Sequence, residues 1–402
     1  MKKLWEKLDM FDKKLLELGY KPSAIREVYR YGLMRKAEIG EDKVFDFSLG
    51  NPSIPAPSVV NETLIKLLNE RDSVELHGYT IATGDMEIRN TIAEYLNKTY
   101  GTKVSGKYLY LTCGAASSLA IICRTLLFPG DEVIVFAPHF PEHRIYAEAA
   151  GGVVVAVPPG EGFLPNFEEL EKKVNEKTKL VIYNSPNNPT GAFYDEEVIK
   201  KKSDFFERKQ KEYGHPIYIV SDEPYRELLY GGEKYPFITN YYKNSAVCYS
   251  FSKCLSIPGE RIGYVLINPK IENPDDTFAA LCGAARVLGY ICAPTLFQHA
   301  IPYCLGYTSD LEVYKKNRDA LYSALKEIGY DVVYPAGAFY LFVKALEDDA
   351  EKFAQVAKEY ELLFVPSNSF DYPGYVRIAY CVSYKTIINS LPAFKKLFER
   401  YH

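Results

Sequence analysis

From about residue 85 to 265 the chain alternates short runs of β-branched and aromatic residues with turns, and then with segments whose apolar positions recur at helical spacing. Seven runs read as strands: YLYLTC (108–113), EVIVFAP (132–138), GVVVAVP (152–158), KLVIYNSP (179–186), IYIVSDEP (217–224), AVCYSFSK (246–253) and IGYVLIN (262–268). Amphipathic stretches such as EEVIKKKSDFFERKQKEYG (196–214) lie between several of them. Nearly continuous apolar strands separated by helices imply an α/β fold, a mostly parallel seven-stranded sheet covered on both faces. After about residue 305 the rhythm changes. A long helix is predicted over 309–328, a strand over 338–344, a helix over 348–359, strand-like LLFVPSNSF and YVRIAYC, and a last helical stretch from 384 interrupted by Pro392. This predicts a large domain at 54–304 and a smaller α+β domain at 305–402, on which the N-terminal segment 1–53 packs.

Composition narrows the function classes. The chain has 402 residues, 47% hydrophobic and 25% charged, which is an ordinary globular balance. A net charge of -4 gives no basic field for nucleic acid or an anionic membrane. Eight cysteines without a CxxC pair and six scattered histidines indicate neither a metal site nor a disulfide framework, so a reducing cytoplasm is expected. The N-terminal MKKLWEKLDMFDKK mixes acids with apolar residues and is not a secretory signal. The stretch 287–309 lacks Asp, Glu, Lys and Arg, but its Pro294, Pro302, Gln298 and His299 favour a buried, broken helical region of a soluble core over a membrane span.

Neither GxGxxG nor GxxxxGK[ST] occurs, so the usual dinucleotide and nucleoside-triphosphate signatures are missing. A parallel sheet still binds ligands at the carboxyl ends of its strands. Those ends carry Gly114-Ala115-Ala116, Phe140, Asn188, Asp222 with Tyr225, and Ser250, Ser252, Lys253 and Arg261. Singly, each has a structural explanation as a turn, a core aromatic, a cap or a solvated strand end; their joint order is what points to chemistry. SxxK by itself also describes an acylating serine, and Ser323 to Lys326 matches it in a plain amphipathic helix. No K-T-G accompanies either match.

The ordered set YTIATGDMEIR, CGAASSL, APHFPEH, NSPNNPTG, SDEPY, SFSK with Arg261, and VRIAY with Arg377 resembles the fold-type I pyridoxal-phosphate aminotransferases, the class I/II family typified by aspartate aminotransferase. The resemblance runs from about residue 45 to 385. It implies that Lys253 carries pyridoxal 5′-phosphate covalently and later shuttles a proton. It assigns the phosphate to Ser250, Ser252, Arg261 and the backbone N–H groups of Gly114, Ala115 and Ala116 at a helix N-terminus. Many relatives have polar side chains where this chain has Ala115 and Ala116, so backbone donors carry more of that side or Ser117 substitutes. Asp222 would face the ring nitrogen, Tyr225 and Asn188 the ring's 3′ oxygen, and Phe140 the ring face.

For the substrate, the resemblance assigns the α-carboxylate to Arg377, with Gly50 and Asn188 beside it, and Tyr79 to the neighbouring subunit's phosphate in a homodimer. Arg286, in GAARVLGYICAP, is a candidate for a distal carboxylate; an ion pair at a dimer or domain boundary explains it equally. The expected reaction exchanges an amino group between an L-amino acid, aspartate first, and a 2-oxo acid such as 2-oxoglutarate. An aromatic or alanine aminotransferase, a racemase or a C–S β-lyase would use the same residues. A DNA-binding regulator built on this domain would need a further module, and the part before residue 44 does not resemble a winged helix. A nicotinamide dehydrogenase would need the missing glycine fingerprint.

Overall fold

The structure, a computed structural model, describes residues 11–20 and 23–402. Among the described residues, twelve strands run in chain order: β1 (Phe45–Asp46), β2 (Leu109–Thr112), β3 (Glu132–Phe136), β4 (Val153–Val157), β5 (Thr178–Asn184), β6 (Tyr218–Asp222), β7 (Ser245–Ser250), β8 (Gly263–Ile267), β9 (Tyr340–Lys344), β10 (Leu362–Leu363), β11 (Val365–Pro366) and β12 (Tyr375–Ala379). The seven predicted strands form one sheet in the order β2-β8-β7-β6-β5-β3-β4, with only β8 antiparallel to its neighbours.

Their continuous apolar character has a simple cause, since every residue of β2, β7 and β8 is buried and both faces are covered. Leu109, Leu111, Val181, Ile219, Val247 and Leu266 face the helices Met86–Tyr100 and Glu196–Tyr213. The alternate residues Tyr110, Ile182, Val220, Ala246 and Val265 face Ala115–Leu126 and Pro274–Leu288. The edge strand β4 is the least buried and begins with exposed Val153.

β9, β11 and β12 make a second, antiparallel sheet, and β1 pairs in parallel with β10. The helices Leu311–Ile328, Ala350–Ala357 and Tyr384–Glu399 share a core with it through Leu321, Leu325, Phe353, Phe394 and Leu397. The helix Ala24–Ile39 joins this part through Ile25, packed with Phe342, Val365 and Phe370, and through the Arg35–Glu361 ion pair of 2.5 Å.

Two expectations need correction. The last helix is not interrupted at Pro392 but runs through it; the buried residues Ile387, Ser390, Phe394 and Leu397 hold it on the core despite the lost N–H. The uncharged stretch 287–309 does break at Gly289 and resumes as the helix Thr295–Cys304, but it is not uniformly interior. Val287, Ile291, Tyr303 and Tyr307 are exposed, so burial within the chain does not explain its lack of charge. No described helix is long and apolar enough to cross a membrane.

Candidate active site

β5, β6 and β7 point the same way, and their carboxyl ends place Asn184, Asp222 and Ser250 along one edge of the sheet. Because β8 is antiparallel, it starts at that edge, with Gly263 between Ser250 and Thr112. A cavity of about 290 Å³ opens there, closed on the other side by β12 and the residues around Gly50. Gly50, Ala115, Ala116, Phe140, Asn188, Asp222, Tyr225, Ser250, Ser252, Lys253, Arg261 and Arg377 all line it. Gly114 lies just beneath; Tyr79 and Arg286 do not line it and are exposed.

Lys253 follows β7 directly. Its side chain is partly buried and opens to the cavity, and Nζ donates a 2.7 Å hydrogen bond to the Gly50 carbonyl. Burial lowers its pKa to about 8; Cys381 opposes this, while Arg261 and Arg377 add to it. A neutral amine is thus within reach near neutral pH.

One corner is built for an anion. Gly114 caps the helix Ala115–Leu126 at φ 88°, and a Cβ there would stand 2.9 Å from Arg261 Nη2. That positive φ and close approach together require glycine. Arg261 itself has φ 52°, a left-handed conformation costly for any residue with a Cβ, and is held by Nη1 donating to the Pro258 carbonyl at 2.8 Å and Nη2 to the Cys113 carbonyl at 3.1 Å. Ser250 Oγ donates to Ser252 Oγ at 2.7 Å. The Ser117 hydroxyl, one turn into that helix, is buried and donates to the Gly114 carbonyl at 2.8 Å.

Deeper in, Asp222 Oδ2 bonds His143 Nε2 at 3.0 Å, and Asn184 Nδ2 donates to the Asp222 carbonyl at 2.8 Å. Asp222 Oδ1 is buried and has no partner among the described residues. A carboxylate oxygen left bare in the interior is costly, so the site fits a ligand that brings an N–H to it. Tyr225 and Tyr340 share a hydroxyl–hydroxyl bond of 2.9 Å, and burial first, then Tyr340, pushes the Tyr225 phenol well above its usual range. A Cβ on Gly50 would collide with Tyr340 Oη.

Arg377, in β12, is 1% exposed. Nη1 donates to Asn188 Oδ1 at 3.0 Å, Nη2 to the Ser48 carbonyl at 2.5 Å, and the guanidinium lies 4.6 Å over the Tyr340 ring. Nε is buried without a partner among the described residues. A fixed guanidinium with a spare buried N–H fits a carboxylate.

Sequence reasoning missed His143, Tyr340, Glu142 and Arg26, which reach or border the site. His143 had a signal, standing three residues after Phe140 in APHFPEH. Tyr340 and Arg26 had none, since packing between segments far apart in the chain brings them in.

Residues 42–391 match the family described as aminotransferase class I and II. A probable aspartate aminotransferase of Methanocaldococcus jannaschii is 30% identical over 387 residues, covering 94% of this chain and 98% of that protein. The aspartate aminotransferase of Thermotoga maritima is 30% identical over 360 residues, covering 88% and 90%. Among solved structures, an amino transferase from Eubacterium rectale matches with a TM-score of 0.95 at 52% identity, covering 98% of this chain and 99% of that one. The Thermus thermophilus aspartate aminotransferase with maleate matches with a TM-score of 0.82 at 28% identity, covering 94% and 97%. With the match spanning both sheets and the cavity between them, the chain belongs to the class I and II aminotransferases of fold type I, enzymes that transfer an amino group.

Proposed function

We propose that this aminotransferase uses pyridoxal 5′-phosphate to exchange the amino group of an acidic L-amino acid, aspartate first, with a 2-oxo acid such as 2-oxoglutarate. The observation that carries the cofactor reading is the bare, buried Asp222 Oδ1 in the same cavity as the partly buried, readily deprotonated Lys253. Substrate choice is supported by the relatives named aspartate aminotransferase, and by maleate, a dicarboxylate, in the Thermus structure.

When bound, the cofactor supplies an electron-withdrawing ring that makes the Cα–H bond of an amino acid labile. Lys253 would hold it covalently through Nζ, and the same amine, set on the cavity, would serve as the group that takes up and gives back the substrate's Cα proton. Asp222 keeps the ring nitrogen protonated, and His143 orients the carboxylate from behind. Ser250, Ser252, Arg261 and the N–H groups of Gly114, Ala115 and Ala116 bind the phosphate. Tyr225 and Asn188 would bind the 3′ oxygen, Phe140 would cover the ring face, and Arg377 with Asn188 and Gly50 would receive the α-carboxylate.

The working unit is a homodimer in this reading. Tyr79 is 98% exposed, its neighbours Gly78 and Thr80 are bonded to Thr295 and Gln298, and the stretch leading to that helix exposes Val287 and Ile291. This apolar surface suits a second copy, whose Tyr79 would complete the phosphate site. Residues 54–304 act as the large domain, and 1–53 with 305–402 as the small one that carries Arg377. Eight free thiols suit the cytoplasm.

The test is the visible spectrum of purified protein loaded with the cofactor. The reading predicts a yellow band that bleaches when aspartate is added and returns with 2-oxoglutarate. A protein that takes up no cofactor, or a band that no amino acid changes, would refute it.

A further inference from the structure

Tyr340 stands in β9 opposite Ala379 of β12, on the cavity wall and 2% exposed. Its ring lies under the Arg377 guanidinium, 4.6 Å away, and edge-on to the ring of Tyr225, whose hydroxyl it meets at 2.9 Å. Among the described residues, that contact is the one hydrogen bond either hydroxyl makes. Gly50 closes over it: there is no room for a Cβ beside Tyr340 Oη, and the Gly50 carbonyl accepts from Lys253 Nζ. The Tyr340 hydroxyl is thus wedged between the cofactor wall and the substrate wall of the cavity. No step in the reading above, on which this inference rests, uses it.

Two phenol hydroxyls in contact share one hydrogen bond, so one donates and the other keeps its own hydrogen for another acceptor. Charge decides which. A cation over the Tyr340 ring draws electrons from it and makes its O–H the better donor. Burial raises the Tyr340 phenol to about 12 while Arg377 pulls it down. Tyr225 is raised well above its usual range by burial first and then by Tyr340, with Asp222 adding to the rise and Arg377 opposing it. With Tyr340 donating, the Tyr225 hydrogen is left over, and Tyr225 lines the cavity, where none of the described residues accepts it. A hydroxyl that already accepts a hydrogen bond donates its own more strongly.

We propose that Tyr340 is a positioning residue that donates its hydroxyl hydrogen to Tyr225, so that Tyr225 turns its own hydrogen into the cavity toward the cofactor's 3′ oxygen. A hydrogen donated to that oxygen favours its charged form, so the lysine-bound cofactor loses its proton at a lower pH. The test follows the visible band against pH, without substrate, in cofactor-loaded wild type, Tyr340→Phe, Tyr225→Phe and the double variant. Tyr340→Phe keeps the ring under Arg377 and removes only the hydroxyl. Its midpoint is expected to rise by about 0.5–1 pH unit, less than that of Tyr225→Phe. The double variant should match Tyr225→Phe, since Tyr340 acts through Tyr225. A midpoint that stays put in Tyr340→Phe would overturn the inference, and so would a further rise when Tyr340→Phe is added to Tyr225→Phe. A Tyr340→Phe protein that no longer takes up cofactor would assign the residue a structural role and overturn it too. A wild type without the visible band would instead refute the underlying reading, and the role of Tyr340 with it.

Discussion

The wall of the cavity built by the seven-stranded sheet and the wall built by β12 and the loop at Gly50 hold their charges by different means. On the sheet side, Asp222, Ser250 and Lys253 stand at or just after the ends of adjacent buried strands, and their spacing is fixed by backbone ladders. On the other side, Arg377 stands within β12, laddered to β11 and β9, and its guanidinium is held in addition by contacts from three separate segments: Asn188, the Ser48 carbonyl and the Tyr340 ring. The first arrangement is rigid by construction. The second adds side-chain contacts to the ladder, and a guanidinium held by such contacts suits a group that meets a substrate arriving and leaving.

The same contrast appears between the two arginines. Arg261 is exposed, and its Nη1 and Nη2 donate to two backbone carbonyls, so its own strained backbone sets the corner for an anion. Arg377 is buried and keeps Nε in reserve. In the proposed reading, the preformed cradle would face the group that stays, and the guanidinium with an open donor the group that turns over.

The largest effect should come from the sheet wall. Asp222→Asn keeps the shape but removes the anion beside the bare position, and kcat should fall about 10²–10³-fold while the protein still takes up cofactor. An unchanged kcat would mean that the carboxylate has only a structural role. Next comes Lys253 in the cofactor-free protein. Its folded pKa of about 8 lies below the usual 10.5, so the folded state is penalised while the lysine is charged; the penalty is fully present below pH 8 and disappears as pH rises to 10.5. Lys253→Met should therefore stabilise the apoprotein by about 3 kcal/mol at pH 7, measured by urea unfolding, with the gain shrinking above pH 8. A gain independent of pH would point to packing rather than charge. The smallest effect belongs to the other wall. Arg377→Lys keeps the charge but loses the fork, and KM for every amino donor should rise about 10-fold with kcat less affected. If kcat fell and KM stayed constant, the two walls would not divide cofactor from substrate as described.

The sheet wall was also the more legible in the amino-acid sequence. Apolar runs such as KLVIYNSP and AVCYSFSK announce strands buried on both faces, and the polar residues that end them can only lie at the sheet edge. Arg377 was found through the resemblance, as the arginine of VRIAY in the ordered motif set. Arg26 carried no such mark. It lies in a helix of alternating charges, IREVYRYGLMRK, where one more arginine looks like a solvated face. Arg286 attracted attention because its surroundings lack charge, yet that stretch is an exposed apolar surface, and periodicity does not distinguish an apolar interior from an apolar interface. The same limit explains the misread end of the chain: Pro392 signals a break locally, and only the packing of Phe394 and Leu397 overrides it.

The most direct test of the account is borohydride reduction of the cofactor-loaded protein followed by peptide mapping. The account predicts one stable adduct, on Lys253, and none in Lys253→Ala. An adduct on any other lysine, or a protein left unlabelled, would contradict it.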